Sequence, residues 1–129
     1  MVYLYVGIGG AIGSILRYLV SSLSLPTFNH FPMGTLFVNL LGAFVLGWFV
    51  ARIAPLQSIS KEVKAGISTG IIGSFTTFST LSVEVIQLFQ DSLYLWLFLY
   101  LSISVVGGLI LTAIGFSIGQ GKTVGMEDI

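Results

Sequence analysis

The chain has 129 residues, of which 55% are hydrophobic and only 8% are charged. A soluble domain needs more charge to cover its surface, so this composition excludes an ordinary soluble protein and indicates a membrane protein. The formal net charge is zero and the sequence contains no cysteine, which argues against a nucleic-acid partner and excludes disulfides, thiolate catalysis and iron–sulfur ligation.

Four long apolar stretches follow one another along the chain, each about the 20 residues that a helix needs to cross the hydrocarbon core of a bilayer. They cover residues 3–23, 33–52, 65–89 and 94–118. The connections are short, so we expect one all-α domain of four transmembrane helices over residues 1–118, followed by a polar tail over 119–129. The first stretch lacks the basic segment and cleavage site of a signal peptide, and we expect it to stay in the mature protein.

The basic residues are distributed unequally between the two sides of the membrane. An even number of spans places both termini and the central loop on one side, which carries Arg52, Lys61, Lys64 and Lys122, whereas the other side has at most Arg17. The positive-inside rule therefore predicts cytoplasmic termini, in a multi-pass protein of the cell (plasma) membrane.

The first span contains the stretch GIGGAIGSILRY, in which small residues recur every four positions. Gly9 and Gly13 lie on one helix face, which lets another helix approach closely. Arg17 follows, and a guanidinium in an apolar span must snorkel, pair or face water. Two interpretations stay open for Arg17: an anchor that fixes topology, or a group that attracts anions at a vestibule.

The second span places Asn39 near the middle of GTLFVNLLGAFVLG. A buried carboxamide needs hydrogen-bond partners, so Asn39 either bonds across helices or contacts something that passes through the protein. Its NH2 group offers two donors to an anion without bringing a titrating group into the membrane.

The third span contains GSFTTFSTLS, residues 73–82, with six hydroxyl side chains around two phenylalanines. Glycines and hydroxyls at membrane depth favour a broken helix whose freed backbone groups bind hydroxyls or an ion, so we expect a broken third helix and an ion site here. The alternative is that the hydroxyls bond to carbonyls one turn earlier. Glu84 follows, and it can pair with Arg17, pair with a hydroxyl of its own span, or lie at a wet pore mouth.

The fourth span carries Tyr100, Ser104, Gly108 and Thr112 at four-residue spacing, which places them on one helix face. Three of the four have a hydroxyl donor, so they predict a polar ladder. Close packing at Ser104 and Gly108, and an interfacial anchor at Tyr100, are the alternatives. The lone His30 forms no metal site, and no catalytic set of nucleophile and base is present, so we do not expect an enzyme.

Taken together and in order, these motifs resemble the Fluc family of fluoride channels, also called CrcB. The matching segments are GGAIGSILRY, GTLFVNLLG, TTFST with the following SVE, and the ladder from Tyr100 to Thr112. The resemblance implies a passive, fluoride-selective channel that exports fluoride from the cytoplasm and protects against its toxicity. It also implies an antiparallel dimer in the lipid with two pores and a structural sodium ion between the subunits.

The resemblance also implies roles for particular residues. The sodium would bind the backbone carbonyls of Gly73 and Thr76, and Arg17 matches the motif arginine near the vestibule, where we also place Glu84. The resemblance assigns four residues to the fluoride pathway, and we add three nearby hydroxyls as candidate donors. The four are Asn39, Phe78, Tyr100 and Ser104, and the three are Thr77, Ser79 and Thr112. A phenylalanine suits an anion because the edge of its ring is positively polarised.

Two positions depart from the family pattern. Leu81 stands where the family has a second pore phenylalanine, and Gly108 where a serine is common. A dimer of identical chains would need dual topology and would carry Leu81 in both pores, whereas an oppositely oriented paralogue would restore one pore. The unequal basic residues favour the paralogue. Other hypotheses are a non-conducting or half-pore subunit, and a small multidrug exporter, which would need an acidic residue that the first span lacks.

Overall fold

The computed structural model describes residues 1–23 and 31–121. In these ranges the chain forms helices and no strands, and four helices are long and apolar enough to cross a membrane. They are Val2–Ser22, Met33–Arg52, Lys61–Gln90 and Tyr94–Gly119, called spans one to four below. The predicted all-α class and the four predicted spans are thus confirmed, and the chain is a multi-pass membrane protein.

Three predicted features lie outside the described ranges. The lone His30 falls within residues 24–30, and Lys122 and most of the predicted tail fall within 122–129. The tail's first residue, Gly119, is the last residue of span four.

Span three is built from several pieces. It begins as the α-helix Lys61–Ala65, continues as the π-helix Gly66–Ile72, and ends its first part as the short helix Gly73–Phe75. Thr76 then has extended backbone, with φ −78° and ψ 160°, and regular helix resumes over Ser79–Gln90. The backbone groups near residue 76 therefore need partners other than helical neighbours.

Span four also changes its helical winding. The α-helices Tyr94–Ser102 and Gly108–Gly119 flank a π-helix over Ile103–Gly107. A π-helix has i→i+5 hydrogen bonds and a wider turn, and such segments are frequent at functional sites.

Glycines bring spans one and three into contact. A Cβ at Gly9 would collide with the carbonyl of Gly66, and one at Gly13 would collide with the carbonyl of Ile71. The two backbones touch at these points, as the four-residue spacing of small residues predicts.

Glycines also join spans two and four. A Cβ at Gly47 would meet the carbonyl of Thr112, and one at Gly115 would meet the carbonyl of Phe44. The fold is therefore held by two closely packed helix pairs.

Few side chains form a buried core. Phe31, Leu36, Leu88 and the fully buried Tyr100 make one hydrophobic cluster, and Phe31 contacts the ring of Tyr100 edge-on with 5.7 Å between centroids. Many other large apolar side chains point outward, as expected where lipid is the solvent. This cluster fixes the Tyr100 ring and thereby directs its hydroxyl.

Candidate ion pathway

Asn39 binds the peptide backbone of span three through two reciprocal hydrogen bonds. Its Nδ2 donates to the Thr77 carbonyl at 2.9 Å, and its Oδ1 accepts from the Thr77 amide at 2.8 Å. Thr77 is buried, with 8% of its surface exposed. Nδ2 carries a second hydrogen, and within the described ranges Thr77 is its only acceptor. Asn39 therefore joins two spans and keeps one donor for a further acceptor.

The carbonyls before this contact lack their usual helical partners. In the described part of the chain, the Gly73 carbonyl accepts only the Thr76 hydroxyl, at 3.3 Å, because the Thr77 amide is turned to Asn39. The Thr76 carbonyl accepts only Nη1 of Arg17, also at 3.3 Å. Backbone carbonyls are hard oxygen ligands, so this donor set fits an alkali cation better than a soft metal.

Arg17 is half-buried and points at the interruption of span three. Its hydrogen-bond partner is a carbonyl, and the Glu84 carboxylate bonds elsewhere. The positive charge therefore lies next to the place where helical hydrogen bonding stops, and it lowers the cost of an anion nearby.

Several hydroxyls of the predicted cluster bond back to their own helix. Thr76 donates to the carbonyls of Ile72 and Gly73, both at 3.3 Å, and Ser82 donates to the Phe78 carbonyl at 2.9 Å. Such bonds are the local alternative for Ser and Thr in a helix. These hydroxyls direct their hydrogens at the backbone.

The hydroxyls of Thr77 and Ser79 lie 3.4 Å apart at the start of the second half of span three. Thr77 Oγ1 accepts from the Thr80 amide at 3.2 Å and donates to Thr80 Oγ1 at 3.1 Å. Thr77 Oγ1 thus satisfies the Thr80 amide in the first turn of the helix that begins at Ser79.

Glu84 accepts hydrogen bonds at both carboxylate oxygens. Thr35 donates to Oε1 and Tyr100 donates to Oε2, each at 2.7 Å. Both donors are buried, with Thr35 7% exposed and Tyr100 0% exposed, and bonds to a charged acceptor are strong. Spans two, three and four therefore meet at one carboxylate.

Sequence reasoning missed Thr35. The signal was its position four residues before Asn39, which places both polar side chains on one face of span two.

Ser104 has a buried hydroxyl oxygen without a hydrogen-bond partner in the described part of the chain. It lies in the π-helix of span four, one turn after Tyr100. Buried polar atoms nearly always have a partner, so an unpartnered one calls for a ligand or a water. Thr112, further along the predicted ladder, instead donates to the Gly108 carbonyl at 2.8 Å.

Phe78 is exposed over 82% of its surface, whereas Leu81 is half-buried against the hydrophobic cluster. Both side chains line an open groove of about 300 Å³ together with Asn39 and Gly42. A Cβ added at Gly108 would meet nothing within 4 Å.

The candidate residues form two groups and two separate members. The first group surrounds the interruption of span three and comprises Arg17, Asn39, Gly73, Thr76, Thr77, Phe78 and Ser79. The second comprises Glu84, Tyr100 and Thr35, and Thr80 shares a pocket with Thr35 and Glu84. Ser104 and Thr112 have no hydrogen bond to either group among the described residues.

Comparison with known proteins gives one family match and relatives that share one name. Residues 4–116 match the family described as CrcB-like protein, Camphor Resistance (CrcB). The chain is 47% identical over 122 residues to a protein of Bacillus cereus strain ATCC 14579, covering 93% of this chain and 84% of the relative. It is 43% identical over 121 residues to one of Staphylococcus aureus strain NCTC 8325, covering 94% and 98%. Both relatives bear the name fluoride-specific ion channel FluC 1.

Proposed function

Since the chain belongs to the CrcB family, as its motifs indicated, we propose that it is a fluoride-selective channel that passively exports fluoride from the cytoplasm and so protects against fluoride toxicity. It is a channel protein and not an enzyme. The observation that carries this function is the buried Ser104 hydroxyl, a donor within span four that has no hydrogen-bond partner in the described part of the chain.

Fluoride is small and tightly hydrated, so a selective pathway must replace its water with hydrogen-bond donors. The Ser104 hydroxyl and the second N–H of Asn39 are two such donors. The hydroxyls of Thr35 and Tyr100 point at the Glu84 carboxylate, and a movement of that carboxylate would release both to a passing anion. The exposed Phe78 adds the positive edge of an aromatic ring.

A structural sodium ion belongs to this proposal, together with the broken third helix that would hold it. The Gly73 carbonyl fits such an ion because it has no backbone amide partner in the described ranges, and the Thr76 carbonyl has a lone pair beyond the one used by Arg17. When bound, the ion would supply positive charge that offsets the repulsion of anions.

The working unit that we propose is an antiparallel dimer in the cell membrane. A phenylalanine that is 82% exposed in a groove beside Asn39 suits a contact with a second subunit. The described basic residues at the two ends of the central loop, Arg52 at the end of span two and Lys61 and Lys64 at the start of span three, favour one orientation with cytoplasmic termini. The partner is then an oppositely oriented paralogue, or a second copy if the chain inserts both ways.

A half-pore subunit is the second candidate function. Leu81 lines the groove beside Phe78, and a leucine offers an anion no polarised ring edge. A dimer of two identical chains would then conduct poorly, whereas a dimer with a paralogue would conduct through one pore.

Fluoride efflux from liposomes tests the proposal, with the purified chain and a fluoride electrode. We expect selective efflux, with chloride-loaded vesicles as the control. Ser104→Ala should slow it about tenfold or more, since a lost hydrogen bond to an ion costs about 1.5–3 kcal/mol. Ser82→Ala is the matched control, because that hydroxyl bonds to the Phe78 carbonyl.

The outcomes separate the two candidates. No efflux from the chain alone, with efflux restored by Leu81→Phe, would indicate a half-pore subunit. No efflux from either protein, and none after adding an oppositely oriented paralogue, would contradict the channel function.

A further inference from the structure

We infer that Asn39 is a positioning residue for the cation site, because it binds the Thr77 peptide and thereby keeps the Gly73 carbonyl open for a sodium ion. The inference rests on the proposed function only in taking sodium as the occupant. Asn39, a candidate residue of the anion pathway, would then also shape the neighbouring cation site.

The amide of Thr77 does not bond to its helical acceptor. In a continuous α-helix this N–H would donate to the carbonyl four residues earlier, which is that of Gly73. Here it lies 2.8 Å from Asn39 Oδ1, and the Gly73 carbonyl keeps only the Thr76 hydroxyl at 3.3 Å within the described ranges. The Asn39 carboxamide therefore takes the Thr77 N–H, which would otherwise occupy a lone pair of the Gly73 carbonyl.

The carbonyl of Thr76 also loses its helical donor. The Thr80 amide would donate to the Thr76 carbonyl in a regular helix, but it bonds to Thr77 Oγ1 at 3.2 Å. Thr77 Oγ1 can accept from the Thr80 amide because Asn39 holds the Thr77 backbone outside the helix. The Thr76 carbonyl is left with Arg17 as its partner.

A carboxamide is suited to this role because it copies a peptide group, with a donor and an acceptor side by side. Leucine has the same shape and neither group, whereas aspartate keeps an acceptor for the Thr77 amide. Span two supports the arrangement at a second point, since Thr76 Cγ2 occupies the place that a Cβ at Gly42 would take. Asn39 and Gly42 lie three residues apart on one helix face, so a single face of span two receives both threonines.

The test reads the Gly73 carbonyl directly by solid-state NMR of the full chain in lipid. Labelling glycine with 13C at the carbonyl and serine with 15N selects two peptide bonds, Gly13–Ser14 and Gly73–Ser74. Gly13 lies inside the helix of span one and serves as the internal control. Sodium chloride is titrated against N-methylglucamine chloride.

In the wild type we expect the Gly73 signal to shift saturably with sodium while the Gly13 signal stays fixed. In Asn39→Leu, the Thr77 amide should return to Gly73, moving its signal toward the helical position even without sodium. The sodium concentration at half-shift should then rise about 10- to 100-fold, as for the loss of other groups that orient metal ligands. Ser82→Ala, whose hydroxyl bonds to the Phe78 carbonyl, should keep the wild-type midpoint.

A wild-type midpoint in Asn39→Leu would overturn the inference, as would a Gly73 signal that sodium does not move in the wild type. Asn39→Asp is a second variant, which keeps an acceptor for the Thr77 amide. Its Gly73 signal without sodium should stay at the wild-type position, and a shift to the helical position would also overturn the inference. Fluoride efflux from the same wild-type vesicles reports the channel function separately, so efflux without a sodium response would refute this inference and the proposed sodium site, but not the channel function.

Discussion

Replacing Tyr100 by phenylalanine removes one hydroxyl and keeps the ring that packs edge-on against Phe31. The lost hydrogen bond joins a 0% exposed side chain to Glu84 Oε2 at 2.7 Å. Removing a partner from a charged acceptor costs about 1.5–3 kcal/mol. Glu84 is half-buried and lines pockets with polar walls, where water can replace part of the bond, so we expect a loss near the lower limit, about 1.5 kcal/mol.

The assay is the free energy of unfolding of the purified protein, measured by denaturant titration in mixed micelles. Tyr94→Phe is the matched control, because Tyr94 is 56% exposed and also packs edge-on against a phenylalanine, Phe89. The control should stay within about 0.5 kcal/mol of the wild type. Equal values for the two variants would refute the assignment of a strong bond to Tyr100. In a Glu84→Gln background, Tyr100→Phe should cost less, because the acceptor is then neutral.

Three further predictions concern the helix packing at Gly115 and the two positions that depart from the family pattern, Gly108 and Leu81. Gly115→Ala places a Cβ on the Phe44 carbonyl and should destabilise the fold by about 1–3 kcal/mol in the same titration, whereas Gly7→Ala, with nothing within 4 Å, should leave it unchanged. Gly108→Ser enters open space, so it should leave the unfolding free energy unchanged and should not slow fluoride efflux, and slower efflux would contradict the interpretation that Gly108 lacks a useful donor. Leu81→Phe should raise efflux from vesicles that contain this chain alone, and an unchanged rate would indicate that the position is dispensable.

The spans and their glycine contacts could be predicted from sequence because each depends on a local property. Apolar length alone determines whether a helix can cross the bilayer, and the spacing of Gly9 and Gly13 places both on one face whatever they contact. Glu84 was harder, since its partner Thr35 lies 49 positions away and only the tertiary fold brings them together.

The polar ladder of span four shows where sequence spacing no longer predicts which residues share a helix face. Four-residue spacing predicts one face only for a regular α-helix, and the π-helix over Ile103–Gly107 changes the winding in the middle of the ladder. Tyr100 consequently bonds to Glu84, whereas Thr112 bonds to Gly108. A local change in winding of this kind has no clear residue signature, because the segment ISVVG is apolar like its neighbours except at Ser104, and a single serine does not mark a π-helix.

The contact between Arg17 and the Thr76 carbonyl has a consequence for biogenesis. In the proposed dimer, a newly inserted subunit would meet lipid before it meets a partner, and an open carbonyl in hydrocarbon costs several kcal/mol. Arg17 belongs to the same chain and satisfies that carbonyl at 3.3 Å without any second subunit. On the proposed assembly, this contact would let single subunits persist in the bilayer before they pair. Pulse-chase labelling would show this as a half-life that Arg17→Met shortens and Arg52→Met does not.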